Sequence, residues 1–330
     1  MSRIGINPSR FKKTDYQPAQ VTVCVLTYLP HLEGYFRQRL EILKLSLGSL
    51  AANIGSQADV LVFDNGSCRE ALEYLDALQQ SGRINFLIRS KENIGKIGAW
   101  QLMFSAAPGE IIAYGDDDIY YYPGWLEAGL EVMNAFPKAG MVSCVPVRNA
   151  STYAVSAVEA AVADPSSEVT GSYERRIPDE WEADWALSTG RDPQEHLEDF
   201  KDRPDLVLRA NSVEAIAGAN HYQFMAPRQL LLDSLPGDWI GRLMGHMVEV
   251  DETIDQSGFL RISTTGRFTR HIGNQISPDL AQEAAGLDIK TQAQNDSGEA
   301  GRRSWIAKIP GSRRLALALY DRLFDVINSK

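Results

Sequence analysis

Cysteine is scarce in this chain: three residues among 330, Cys24, Cys68 and Cys144, far apart and odd in number. They form neither a zinc-binding spacing nor a disulfide framework. Cys24 and Cys144 lie in apolar runs and read as small core residues, which suits a reducing compartment. Long hydrophobic runs are missing as well. No stretch approaches the roughly 18 to 20 apolar residues of a membrane span, and the start, Met1-Ser2-Arg3-Ile4-Gly5, lacks the apolar core of a signal peptide. The expectation is a cytoplasmic protein. Positive charge is also short: 33 Lys and Arg against 43 Asp and Glu leave a formal net charge of −10. Such a surface repels nucleic acid and anionic lipid as partners of the whole chain. It still admits an anionic small molecule wherever a bound metal inverts the local field.

A chain of 330 residues with 44% hydrophobic content is long enough to bury a sizeable core. The first half alternates between two periods. Short β-rich runs occur at Val21–Tyr28, Asp59–Phe63, Ile84–Ile88, Ile111–Tyr114 and Gly140–Val147. Between them, Leu40, Leu43, Leu47, Leu50 and Ile54 recur at helical spacing, as do Leu72, Leu75 and Leu78, then Ile97, Trp100 and Phe104, then Leu126, Leu130 and Met133. Strand and helix in alternation, with near-continuous apolar strands, predict an α/β fold: a mainly parallel central sheet flanked by helices. Ligands bind such sheets at the carboxyl ends of the strands. Three of those ends are polar: Thr27-Tyr28, Asp64-Asn65, and Asp116-Asp117-Asp118. They predict one shared site.

The aspartate triplet in Tyr114-Gly115-Asp116-Asp117-Asp118 is the sharpest signal. Three like charges behind a buried strand cost several kcal/mol each unless something compensates them, and a divalent cation is the usual compensation. If the segment is extended, Asp116 and Asp118 share one face and Asp117 points away toward backbone.

These residues, in this order, resemble the GT-A nucleotide-sugar glycosyltransferases, most of all family 2. The resemblance covers about residues 20–275. It rests on the strand ending in Thr27-Tyr28, on Asp64-Asn65-Gly66-Ser67, on the Asn93-Ile94-Gly95 turn, and on Gly115–Asp118 followed by Pro123-Gly124-Trp125-Leu126. It implies an N-terminal extension over 1–19, a GT-A domain over 20–275 with an excursion at 150–211, and a tail over 276–330. It implies Mn2+ or Mg2+ held by Asp118 and Asp116, with His271 as a late ligand. It implies a UDP-, GDP- or dTDP-sugar donor contacted by Thr27, Tyr28, Asp64, Asn93, Lys96, Asp116 and Asp117. The acceptor would be a hydroxyl on a glycan, a glycolipid or a small molecule, as in polysaccharide biosynthesis.

The physical chemistry of each position agrees. A departing diphosphate gains negative charge, which a carboxylate-held metal stabilises. Lys96 follows a turn at a helix start, where N–H groups favour anions. Inversion needs a carboxylate base for the acceptor hydroxyl. Asp251 is the first candidate and Glu249 the second, in Met247–Asp255. Their distance from Gly258 is shorter than the family's usual pattern, and the usual arginine between is missing. Retention, or nucleotide-sugar binding without turnover, stands as the alternative. A nucleotidyltransferase is disfavoured, because Thr27-Tyr28-Leu29-Pro30 is not a Gly-rich basic loop. His221 and Gln223 are candidates for sugar contacts, and Trp181, Trp185 and Trp239 for stacking on a sugar ring. Residues 278–304 read as a polar tail segment. Beyond it, Leu315, Leu319, Leu323 and Ile327 make one apolar stripe beside Arg302, Arg303, Lys308 and Arg313. That helix would dock on the core, form a homodimer contact, or lie peripherally on the inner membrane face.

Overall fold

Val21–Thr27, the first strand (β1), is buried at every position. Its alternate side chains enter two cores: Val21, Val23 and Val25 on one face, Cys24 and Leu26 on the other. A strand covered on both faces needs no polar alternation, which explains the unbroken apolar run. The structure, a computed structural model, describes residues 5, 7, 9–55, 57–237, 243 and 247–287. The chain divides into two units, Met1–Thr291 and Gln292–Lys330, and every described residue lies in the first.

The elements continue as α1 (Arg39–Asn53), β2 (Ala58–Asp64), α2 (Arg69–Gln80), β3 (Phe86–Arg89), α3 (Gly95–Ala106), β4 (Ile111–Asp116), β5 (Ile119–Tyr121), α4 (Trp125–Ala135) and β6 (Ala139–Ser143). Then follow α5 (Ser156–Ala163), β7 (Thr170–Glu174), α6 (Asp179–Ser188), α7 (Pro193–Asp199), β8 (Asp205–Ala210), β9 (Val213–Ala217) and β10 (Gln223–Pro227). The last are α8 (Arg228–Ser234), α9 (Met247–Gln256), β11 (Leu260–Thr264), β12 (Thr269–His271) and α10 (Pro278–Ala285).

Among the described residues the main sheet has ten strands in the order β3-β2-β1-β4-β10-β6-β11-β9-β8-β7. The strands β1 to β4, β6, β8 and β11 run one way, with β7, β9 and β10 against them. The parallel quartet that carries the polar strand ends matches the sequence expectation. Leu43, Leu47 and Leu50 of α1 and Leu75 and Leu78 of α2 pack on one face, while Ile97, Trp100, Met103 and Phe104 of α3 pack on the other. The first helix starts at Arg39, after a single 3-10 turn at Gly34–Phe36.

Residues 150–211 hold α5, α6 and α7, and their strands β7 and β8 continue the sheet to its edge. The helix α7 starts where its sequence says it should. Asp192 accepts from the N–H groups of Gln194 and Glu195, and Pro193 needs no partner at the first position. The stretch is tied to the core by Arg148, whose Nε lies 2.9 Å from Asp205 Oδ1, both side chains 1% exposed. Asp205 Oδ2 also accepts from Arg176 and Ile177 N–H, at 2.7 and 2.8 Å. Asp205→Ala leaves the buried Arg148 with only the exposed Asp179 carboxylate, at 3.1 Å, so stability should fall by about 3 kcal/mol in chemical denaturation. A loss below about 1 kcal/mol would show that Asp179 alone satisfies Arg148.

The segment read as a polar tail is corrected at its start. Residues 278–285 form α10, whose Leu280 and Ala284 bury against Ile42, Leu45, Tyr120 and Ile272. The periodicity there is two apolar residues four apart, too short to stand out from polar neighbours. The amphipathic stretch of residues 315–327 and Trp239 lie outside the described residues. No helix among the described residues is long and apolar enough to cross a membrane.

Candidate active site

Strand register assembles the site. Thr27 pairs with Asp64 across β1 and β2, and Leu26 with Asp116 across β1 and β4. The three polar strand ends therefore lie side by side. The small ribbon of β5 and β12 places His271 opposite Ile119, and Ile272 N–H donates to the Asp118 carbonyl at 2.8 Å. A residue 153 positions further along the chain is thus held beside the triplet.

The triplet is a strand end followed by a tight turn, with β4 stopping at Asp116 and β5 starting at Ile119. Alternation along an extended segment does not apply, so the expectation that Asp117 merely points away to backbone is corrected. Each carboxylate has its own environment. Asp116 takes both oxygens to Lys96 Nζ, each at 2.8 Å, and accepts the Tyr114 hydroxyl. Burial, then Asp116, pushes the Tyr114 phenol well up, so it remains a donor. Asp117 accepts from Thr27 Oγ1 at 2.6 Å and from Arg39. Burial pushes the Asp117 carboxyl above its usual range despite the opposing pull of Arg39. Asp118 Oδ2 lies 2.8 Å from Arg39 and 3.6 Å from His271 Nε2, while its Oδ1 is buried without a partner. Burial works to raise Asp118 also, but His271 and Arg39 outweigh it and hold the carboxylate below its usual range.

Several expected contacts are structural braces. Thr27 is fully buried and its hydroxyl is spent on Asp117. Asn93 Oδ1 accepts from Gly95 N–H and from Asn65 Nδ2, both at 2.9 Å, stapling the β2 end to the start of α3. Lys96 is 6% exposed and faces Asp116, lying 5.3 Å from the Trp100 ring centroid. Asp64 is 1% exposed and accepts Ser67 N–H at 3.2 Å. Tyr28 is half-buried with its ring edge-on to Phe36, the centroids 6.3 Å apart. Gln223 is buried and accepts Cys144 N–H at 2.7 Å, so it braces β10 and does not reach a sugar. Trp181 is half-buried, and Trp185 packs into the core, with Arg191 4.8 Å over its ring.

Asp251 lies within α9, is fully buried, and pairs with Arg261 at 3.0 Å while accepting the Tyr153 hydroxyl at 2.7 Å. It does not stand at the surface as a base in contact with an acceptor would. Glu249 is exposed on the opposite side of α9. What stands over Asp251 is His221, whose side chain is 34% exposed, with Nδ1 3.7 Å from Asp251 and 3.5 Å from the Tyr153 oxygen. The loop carrying it begins at Gly218, at φ +99°, where a Cβ would meet the Ala150 carbonyl carbon at 2.6 Å. The next residue joins this cluster to the triplet. The Tyr222 carbonyl accepts Asp116 N–H at 2.9 Å, and the Tyr222 ring lies 5.0 Å from that of His271. An open cavity of about 650 Å3 borders His271, with Asp184, Ser188, Arg270 and Asp279 among its walls.

Among the described residues, no group of three or more His, Cys, Asp and Glu side chains is ready-made for a metal. A two-ligand seat does fit. Asp118 offers its unpartnered Oδ1, and His271 offers Nε2 while its Nδ1 is oriented by Ser188 Oγ at 2.8 Å. A cation there would draw its other ligands from a diphosphate. Arg39 is the site residue that sequence reading missed. Its one signal was electrostatic: three adjacent carboxylates need cations, and Lys96 alone is not enough.

Residues 35–187 match the family model described as Glycosyl transferase family 2. That stretch is similar to glycosyl transferase family 2. The match takes in Arg39, Asp64, Asn93, Lys96 and the triplet, while Thr27, Tyr28, His221, Asp251 and His271 lie outside it. The fold is GT-A. No curated protein matches the chain. Among solved structures, the chain is similar to S. aureus TarS 1-349 at 12% identity and TM-score 0.42, over 83% of this chain and 66% of that one. It is similar to GalNAc-T7 with UDP, GalNAc and Mn2+ at 14% and 0.46, over 76% and 43%. It is also similar to the mannosyltransferase PcManGT from Pyrobaculum calidifontis in complex with GDP-Man and Mn2+, at 16% and 0.41, over 82% and 59%. The chain thus spans less than two thirds of the length of each of these structures.

Proposed function

We propose that the chain is a divalent-metal-dependent glycosyltransferase that moves a sugar from a UDP-, GDP- or dTDP-sugar to a hydroxyl acceptor with inversion. The observation that carries this reading is the free Asp118 oxygen beside His271, set among Lys96 and Arg39 at the carboxyl ends of parallel strands. Asp118 and His271 would hold Mn2+ or Mg2+. When bound, the metal would stabilise the charge of the departing diphosphate. Asp116, fixed by Lys96 and Tyr114, would lie near the ribose or the metal, and Asp64, braced by Ser67 N–H, would have to open toward a base imide or ribose hydroxyl to contact it. Tyr28 would flank the base, and Asn93 would act by holding the turn before α3.

The acceptor oxygen bonds to the anomeric carbon as the bond from that carbon to the diphosphate oxygen breaks. The electron pair leaves with the nucleoside diphosphate. The acceptor proton must go to a base, and buried Asp251 receives none directly. We place it on His221 Nε2, with Nδ1–H directed at the Tyr153 oxygen and the Tyr153 hydroxyl donating to Asp251. The acceptor is a glycan, a glycolipid or a small molecule. A lipid-linked acceptor fits a peripheral membrane role for the basic amphipathic stretch of residues 315–327, and a homodimer contact is the other role for it.

One observation favours a second reading. The ion pair that locks Asp251 to Arg261 suits a nucleotide-sugar-binding protein without turnover. A thermal-shift screen of UDP-, GDP- and dTDP-sugars, with and without Mn2+, tests what both readings share. One nucleotide class should raise the apparent melting point, and more with Mn2+, because ligands of the folded state stabilise it by mass action. No shift with any donor would contradict both readings. Product formation separates them.

A further inference from the structure

Arg39 opens α1 and reaches across to the triplet. Its side chain is 11% exposed. One terminal nitrogen lies 2.8 Å from Asp118 Oδ2 and 3.4 Å from the Gly273 carbonyl, and the other contacts Asp117. Lys96 is committed to Asp116 through both carboxylate oxygens. One guanidinium therefore neutralises two carboxylates, one of which is the proposed metal ligand.

We propose that Arg39 is the chain's own counter-ion at the metal seat and that it exchanges onto the donor diphosphate when the cation arrives. This rests on the metal-dependent reading above. A dication bound to Asp118 next to an immobile Arg39 would meet a like charge across a poorly screened gap. The same guanidinium is a planar fork suited to bidentate contact with a phosphate. A nucleoside diphosphate relieves both problems. It supplies negative charge to the cation and gives Arg39 a new partner. Metal and donor affinities must then rise together, and by the same factor in either order of addition. Arg39 sits at the first position of α1, so the exchange asks only its side chain, not the helix, to change partners. The device also keeps the carboxylates paired in the ligand-free chain, where three bare charges would be costly.

Titration of Mn2+ followed by electron paramagnetic resonance, on the full chain and on Arg39→Gln, tests the exchange. UDP, GDP and dTDP are each included in turn, with their own Mn2+ complexes subtracted. The wild type should bind Mn2+ alone weakly and about tenfold or more tightly with the matching nucleotide. Arg39→Gln should bind Mn2+ alone about tenfold more tightly than wild type, with the nucleotide enhancement reduced to about threefold or less. Arg39→Lys, whose shorter point charge reaches less well, should fall between the two, and it gives the same readout if the glutamine variant does not fold. If the substitutions leave Mn2+ affinity without nucleotide unchanged, or keep the full enhancement, the exchange is wrong while the metal site stands. If no protein binds Mn2+ with any nucleotide, the metal-dependent reading falls and the inference with it.

Discussion

Asp118→Ala should lower turnover by roughly 10³-fold or more, a loss of about 4 kcal/mol of transition-state stabilisation. It should also remove the Mn2+-dependent part of nucleotide binding while leaving the metal-independent part. The reason lies in the division of labour within the triplet. Asp116 is saturated by Lys96 and Tyr114, and Asp117 by Thr27 and Arg39, whereas Asp118 alone keeps a buried oxygen unpartnered. Removing it leaves His271 as the sole side chain at the seat. Steady-state kinetics over a range of Mn2+ concentrations, with calorimetric nucleotide titrations in parallel, measure both effects. Full activity of the wild type in EDTA would overturn the metal assignment for the whole cluster.

The second large effect concerns the proton. His221→Gln should reduce kcat by roughly 10²-fold or more with donor affinity little changed, since a base acts in the transition state and not on the bound donor. Imidazole added to His221→Ala should restore part of the rate, which a merely structural histidine would not show. Asp251→Asn should also slow turnover, but it breaks a fully buried pair with Arg261 and is expected to cost stability as well, about 3–5 kcal/mol. It must therefore be assayed on folded protein. Glu249→Gln should stay within about twofold of wild type. If Glu249→Gln gives the large loss and His221→Gln does not, the base stands on the exposed side of α9. If none of the three variants slows the reaction, the inverting reading fails.

Much of the parallel half of the fold was legible because its signals are local. Unbroken apolar strands such as Val21–Thr27, helical leucine spacing in α1 and α2, and polar residues at strand ends all follow from a sheet buried on both faces. The triplet was legible as a site because its charge makes no sense without a counter-ion. What was not legible depends on contacts between distant residues. The turn after Asp116 cancels the alternation that would have paired Asp116 with Asp118. Whether Thr27 meets a nucleotide or Asp117 is decided by register across β1 and β4, which one sequence does not reveal. Asp251 fits an acidic motif by type, yet a buried arginine on β11 and a tyrosine 98 positions earlier claim it. Arg39 carries no local signal, because its partners lie 78 and 79 positions further along the chain. The strands β7 and β8 were hidden in a stretch whose charged residues pair with one another at the sheet edge, as Arg209 does with Glu174 and Glu214.

The central claim is that this cluster of strand-end carboxylates and buried cations turns over a nucleotide-sugar with the help of a divalent ion. Release of nucleoside diphosphate from a panel of UDP-, GDP- and dTDP-sugars, measured with Mn2+ and again in EDTA, tests it most directly. One nucleotide class should release its diphosphate with Mn2+, lose that release in EDTA, and lose it in Asp118→Ala. Release undiminished by EDTA, or no release from any donor by protein that binds one of them with Mn2+, would contradict the account.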